Sequence, residues 1–63
     1  MDDLIDAARD LVIRTQWADV GALQRRLRVS YGRAHQLLDQ LEAEGVVGPR
    51  RGSLARDVLR THD

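Results

Sequence analysis

Ser30-Tyr31-Gly32-Arg33-Ala34-His35-Gln36-Leu37-Leu38-Asp39-Gln40-Leu41-Glu42-Ala43-Glu44, closed by Gly45, is the stretch that decides the fold. Counted from Tyr31, the apolar residues Ala34, Leu37, Leu38 and Leu41 fall at offsets of 3, 6, 7 and 10, the stripe of a helix packed along one side. The Ser30 hydroxyl suits the cap of the first turn, and Gly45 suits the left-handed residue that ends the helix. At about 100° per residue, the side opposite the stripe centres on Gly32, Gln36 and Asp39. Arg33 and Gln40 flank that side on one edge and His35 on the other. A small residue, an amide and an arginine early in a helix suit the major groove of DNA, where first-turn amides also meet a phosphate. The same side reads equally as an ordinary solvated face, so the flanking chain has to decide between the two.

Upstream, Asp2 and Asp3 precede Leu4, Ile5, Ala8, Leu11 and Val12. This is helical spacing with acids at the positive end of the dipole and Arg14 at the other. It predicts a first helix over Asp3–Arg14, with Thr15 and Gln16 leaving it. Trp17-Ala18-Asp19-Val20 reads either as a very short strand or as the entry to a second helix, with Trp17 as an anchor at the core or its edge. Val20, Leu23 and Leu27 then mark a two-turn helix over Gly21–Leu27 that exposes Gln24, Arg25 and Arg26. Only about three residues separate it from the helix that Ser30 opens, which is helix-turn-helix spacing.

Downstream, Val46-Val47 and Val58-Leu59 are β-prone, and the chain between them is rich in Gly, Pro, Ser and Arg. That pattern predicts a hairpin, with Pro49 ending its first strand and Ser53-Leu54 within its loop. Arg60–Asp63 reads as a frayed tail. The expected fold is mainly α with a small β-hairpin, a winged helix-turn-helix, in one domain over residues 1–63.

Sixty-three residues bury only about 60% of their unfolded surface, so the core is small. There is no cysteine, and the two histidines, His35 and His62, are far apart. No disulfide, thiolate site or histidine metal pair is therefore expected. No apolar run approaches the roughly 20 residues of a membrane span, and no signal peptide is visible; the expected location is cytoplasmic.

Net charge is zero, but it is distributed in blocks. Residues 1–24 balance to −3, residues 25–33 to +4, residues 34–49 to −3 and residues 50–60 to +3, with Asp63 completing the sum. All ten basic residues are arginine, whose planar fork suits phosphate and guanine. A GC-rich genome accounts for much of the missing lysine, but not for the clustering.

Catalysis finds no support. Asp39 and Glu42 are a routine carboxylate pair on a surface helix, Ser30 and Ser53 lack a base and an orienter, and Gly-Pro-Arg-Arg-Gly-Ser lacks the ending of a nucleotide-binding loop. Two binding classes stand. One is a winged helix reading duplex DNA with its third helix and gripping phosphates with its wing. The other is a winged helix whose arginine-rich surface binds protein. The first is favoured by position: Arg25, Arg26, Arg28, Arg33, Arg50 and Arg51 surround the site where a winged helix holds DNA.

The run Leu23-Gln24-Arg25-Arg26-Leu27-Arg28-Val29-Ser30-Tyr31-Gly32-Arg33-Ala34, with Leu37–Pro49, Gly52-Ser53 and Arg56–Leu59, resembles the gamma domain of the FtsK/SpoIIIE DNA translocases. The likeness extends from about Leu4 to Leu59. It implies a C-terminal winged helix of a larger translocase, tethered to a membrane-associated, hexameric, ATP-driven motor. In that family the domain binds short, skewed DNA repeats and orients the motor, and in the chromosomal branch it activates the XerD recombinase. The ATPase belongs to the motor, so no cofactor is expected in this domain, and several copies can share one DNA site. The expected base-reading residues are Gly32, Arg33, His35, Gln36 and Asp39. The expected phosphate-binding residues are Arg25, Arg26, Arg28, Ser30, Arg50, Arg51 and Arg56. The chromosomal branch usually has Asn at Gly32, Ala at His35 and Arg at Gln36. Those departures make the chain similar to the TraB-type translocases of actinomycete conjugative plasmids, which read a different short repeat. Plasmid transfer is the expected setting on that ground, and chromosome segregation is the alternative.

Overall fold

A computed structural model describes residues 3–52 and 55–61. The loop residues Ser53-Leu54, the leading Asp2 and the end of the tail at His62-Asp63 lie outside the described residues. The elements in chain order are α1 (Asp3–Thr15), β1 (Ala18–Asp19), α2 (Val20–Leu27), α3 (Tyr31–Ala43) and β2 (Ala55–Arg56). They form a winged helix: three helices with a small antiparallel sheet.

The helix ends follow from local chemistry. Gln16, at φ 58, donates its amide to Val12 O at 2.8 Å as α1 closes. Both readings of the segment after it are correct in part, because Ala18–Asp19 is a strand while Asp19 is also the cap of α2. The Asp19 carboxylate accepts the Ala22 amide at 3.0 Å, which starts α2 at Val20, one residue earlier than the spacing predicts. α2 ends on Arg28 in the left-handed conformation. Ser30 accepts the Arg33 amide at 3.1 Å, and Gly45, at φ 78, follows the cap of α3 at Glu44.

The wing departs from a simple hairpin. Val47 bridges Val58, the Gly48 amide donates to Asp57 O at 2.8 Å, and the Leu59 amide donates to Val46 O at 2.8 Å. The named strands, however, pair β1 with β2, Ala18 opposite Arg56 and Asp19 opposite Ala55. The segment 55–59 is thus paired twice, and β1 anchors the wing beside α2.

The core draws on every element. Ala8, Leu11 and Val12 of α1, Val20 and Leu23 of α2, and Ala34, Leu37, Leu38 and Leu41 of α3 are buried with Ala18, Val46 and Val47. Burying one such large aliphatic side chain is worth about 1.5–3 kcal/mol. Two expectations are corrected. Tyr31 is 52% exposed, lying edge-on over His35, and His35 is the buried member of that pair. Trp17 is also 52% exposed, because β1 takes Ala18 inward and turns its neighbour out. Arg9 fastens α1 to the end of α3, its Nε and Nη2 donating to the two Glu44 carboxylate oxygens at 2.7 and 2.9 Å.

Candidate nucleic-acid interface

The outer face of α3 presents Gly32, Gln36, Asp39 and Gln40 to solvent, with Arg33 partly covered. Gly32 faces open space: a Cβ built on it meets nothing within 4 Å. Arg33 Nη1 donates to Gln36 Oε1 at 3.4 Å, so the arginine of the first turn leans toward the amide one turn on. The amides of Tyr31 and Gly32 have no protein acceptor among the described residues. Four of the five expected base-reading residues therefore share one accessible face.

His35 does not join them. It is 8% exposed, and its ring lies edge-on to Tyr31 with centroids 4.5 Å apart. Arg50 of the wing donates Nη2 to His35 Nδ1 at 2.8 Å. A guanidinium has no acceptor, so Nδ1 must be the unprotonated nitrogen. Burial, followed by the charges of Arg50 and Arg56, lowers the His35 pKa below its usual value, while Asp39 opposes them. His35, expected among the base-reading residues, is thus buried against Arg50 of the wing and is not presented on the open face.

Arg56, expected among the phosphate-binding residues, is also turned inward. Its side chain is 1% exposed, because in β2 Ala55 faces out and Arg56 faces in. It bonds Asp39 and Glu42 of α3 and is not presented to a phosphate. Its two-residue spacing from the half-buried Val58 is the signal that places it inward. Ser30 is exposed, with its oxygen engaged by the Arg33 amide. Arg51 is exposed, 3.6 Å from Asp57.

Arg25, Arg26 and Arg28 are exposed and have no carboxylate partner among the described residues. Arg25 and Arg26 line a cleft of about 50 Å³ with Trp17, Leu11, Thr15, Ala22 and Leu23. That cleft, on the α1 side of α2, is a feature the spacing of apolar residues does not reveal. Among the described residues no helix is long and apolar enough to cross a membrane, and no three His, Cys, Asp or Glu side chains are grouped to hold a metal.

Over residues 1–61 the chain is matched by the family model of the Ftsk gamma domain. The chain belongs to the FtsK gamma domain family. Among its relatives are a DNA translocase FtsK of Sporosarcina ureae, 52% identical over 60 residues, and the DNA translocase SpoIIIE of Bacillus subtilis strain 168, 50% identical over 58 residues. The FtsK of Lactococcus lactis subsp. lactis is 45% identical over 62 residues. These alignments cover 92–98% of this gamma domain but only 7–8% of the relatives. This chain thus corresponds to a small part of each relative's length.

Proposed function

We propose that this gamma domain binds double-stranded DNA through the outer face of α3, reads a short repeat there, and so orients the motor of a larger translocase. The observation that carries the reading is the shared accessible face of Gly32, Arg33, Gln36 and Asp39, with Arg50 held alongside through His35. Phosphates on either side are met by Arg50 and Arg51 of the wing and by Arg28 in the turn before α3. Arg25 and Arg26 are the outer members of that set. In this reading the domain is the C-terminal module of the translocase, on the cytoplasmic side of a membrane-associated motor, and several copies occupy one DNA site.

The FtsK and SpoIIIE names of the relatives support a chromosomal translocase over a plasmid-transfer one. On that branch a XerD-type recombinase is the second partner. The plasmid-transfer reading draws its support from Gly32, His35 and Gln36, the three departures from the usual chromosomal residues.

Salt titration tests the proposal. Neutralising about four to six phosphates gives a slope of log affinity on log salt of roughly −4 to −5. Duplex of mixed sequence should therefore bind at low salt and be lost steeply as salt rises. No binding at low salt would leave the protein-interaction module in its place.

A further inference from the structure

We propose that Arg56 is the positioning residue of the base-reading face, aiming Asp39 from beneath and partly offsetting its charge; this rests on α3 being the reading helix. Arg56 Nη2 donates to Asp39 Oδ1 at 2.8 Å, and Nη1 to Glu42 Oε1 at 3.4 Å. The cation is almost wholly buried, at 1% side-chain exposure, while Asp39 is 61% and Glu42 44% exposed. The pair thus runs from the interior to the surface. One oxygen of Asp39 is tied down, and Oδ2 has no donor among the described residues. A carboxylate fixed in this way offers one outward acceptor in a set direction, which is what the amino group of cytosine requires.

Charge makes the same demand. An unpaired carboxylate brought against a duplex is repelled by the phosphates. The buried guanidinium offsets Asp39 without occupying the surface that the bases need. The fork is essential, because it reaches two carboxylates one turn apart, whereas an ammonium is a single point charge.

Stability alone does not account for Arg56. Its Nε is buried without a hydrogen-bond partner, and burying a cation carries a desolvation cost that ion pairing often fails to recover. Removing one partner of an ion pair is costly where it leaves a buried charge unpaired, and here the carboxylates left behind, Asp39 and Glu42, reach solvent. Arg56→Met should therefore keep the fold and lose the aim.

The experiment selects binding sites from a random duplex pool with the 63-residue chain, its Asp39→Ala variant and its Arg56→Met variant, and records each melting temperature. Asp39→Ala should relax the preference at one or two base pairs by roughly tenfold. Arg56→Met should relax those same positions and leave the others unchanged. If Arg56→Met does not fold, Arg56→Lys is read instead, with the same positions expected to relax. Three results overturn the proposal: an unchanged motif in the readable Arg56 variant, equal relaxation at every position, or no relaxed position in Asp39→Ala. A parent chain that enriches no motif at all is a different result, because it removes the DNA-reading function itself.

Discussion

His35 joins two elements through a proton-free nitrogen, and that makes the junction sensitive to acid. The groups around it are Arg50 at Nδ1, Arg56 and Asp39 as nearby charges, and the Tyr31 ring. Because the folded pKa lies below the usual 6.5, the unfolded chain takes up this proton first as pH falls. The stabilising contribution is complete above that value and is lost as pH drops through it toward the folded value. The melting temperature should fall from pH 7.5 to 5.5, and His35→Ala should flatten that decline; an equal decline in the variant would place the titration elsewhere. The depressed Glu44 carboxyl, held by Arg9, acts in a separate window below 4.5. At Gly32 and Gln36 the question is base preference. Glutamine favours adenine and arginine favours guanine, and the space over Gly32 admits a larger side chain. Gly32→Asn with Gln36→Arg should shift preference toward the guanine-rich chromosomal repeat by roughly tenfold or more, with the melting temperature nearly unchanged. Tight binding of that repeat by the unaltered domain would remove the plasmid-transfer reading. Gly32, Gln36 and Asp39 were legible as a face because helical spacing alone puts them there. His35 was not, since the wing residue Arg50 packs onto it from outside the helix, and the inward turn of Arg56 shows only in its two-residue spacing from Val58.

α3 is held by its inner stripe, and Leu38, at 0% exposure, sits in the middle of it. Leu38→Ala should cost about 2–5 kcal/mol. A domain of this size has a total of roughly 3–9 kcal/mol, so the variant should be largely melted near physiological temperature. An unchanged thermal midpoint would mean that the stripe is not the packed face. All three helices were legible to within a residue or two, because each repeats its apolar spacing over at least two turns, and α2 and α3 open on the capping side chains of Asp19 and Ser30. The strands were legible only in part. Val47 opposite Val58 follows from β-prone residues around a loop, but β1 and β2 are two residues each. Two residues display no alternation, and their pairing spans most of the chain. The sequence therefore predicts a wing yet does not say that β1 closes it.

In the whole molecule, zero net charge conceals a spatial division. Three of the described acids are each bound to an arginine on a neighbouring element: Asp39 and Glu42 to Arg56, and Glu44 to Arg9. The cations of α2 and the turn after it have no such carboxylate among the described residues, so the molecule has a positive side despite its balance. Trp17 stands on that side, half exposed beside Arg25 and Arg26, and it is the sole tryptophan. The domain therefore carries its own optical reporter. Its fluorescence should be quenched more by iodide than by caesium at equal ionic strength, because the neighbouring guanidinium groups concentrate anions. Adding duplex separates two arrangements. If phosphates engage Arg25 and Arg26, iodide quenching drops toward the caesium level. If DNA stays on the α3 face alone, the indole remains as open to iodide in the complex as in the free protein, and an unlabelled chain reports which side of itself the duplex covers.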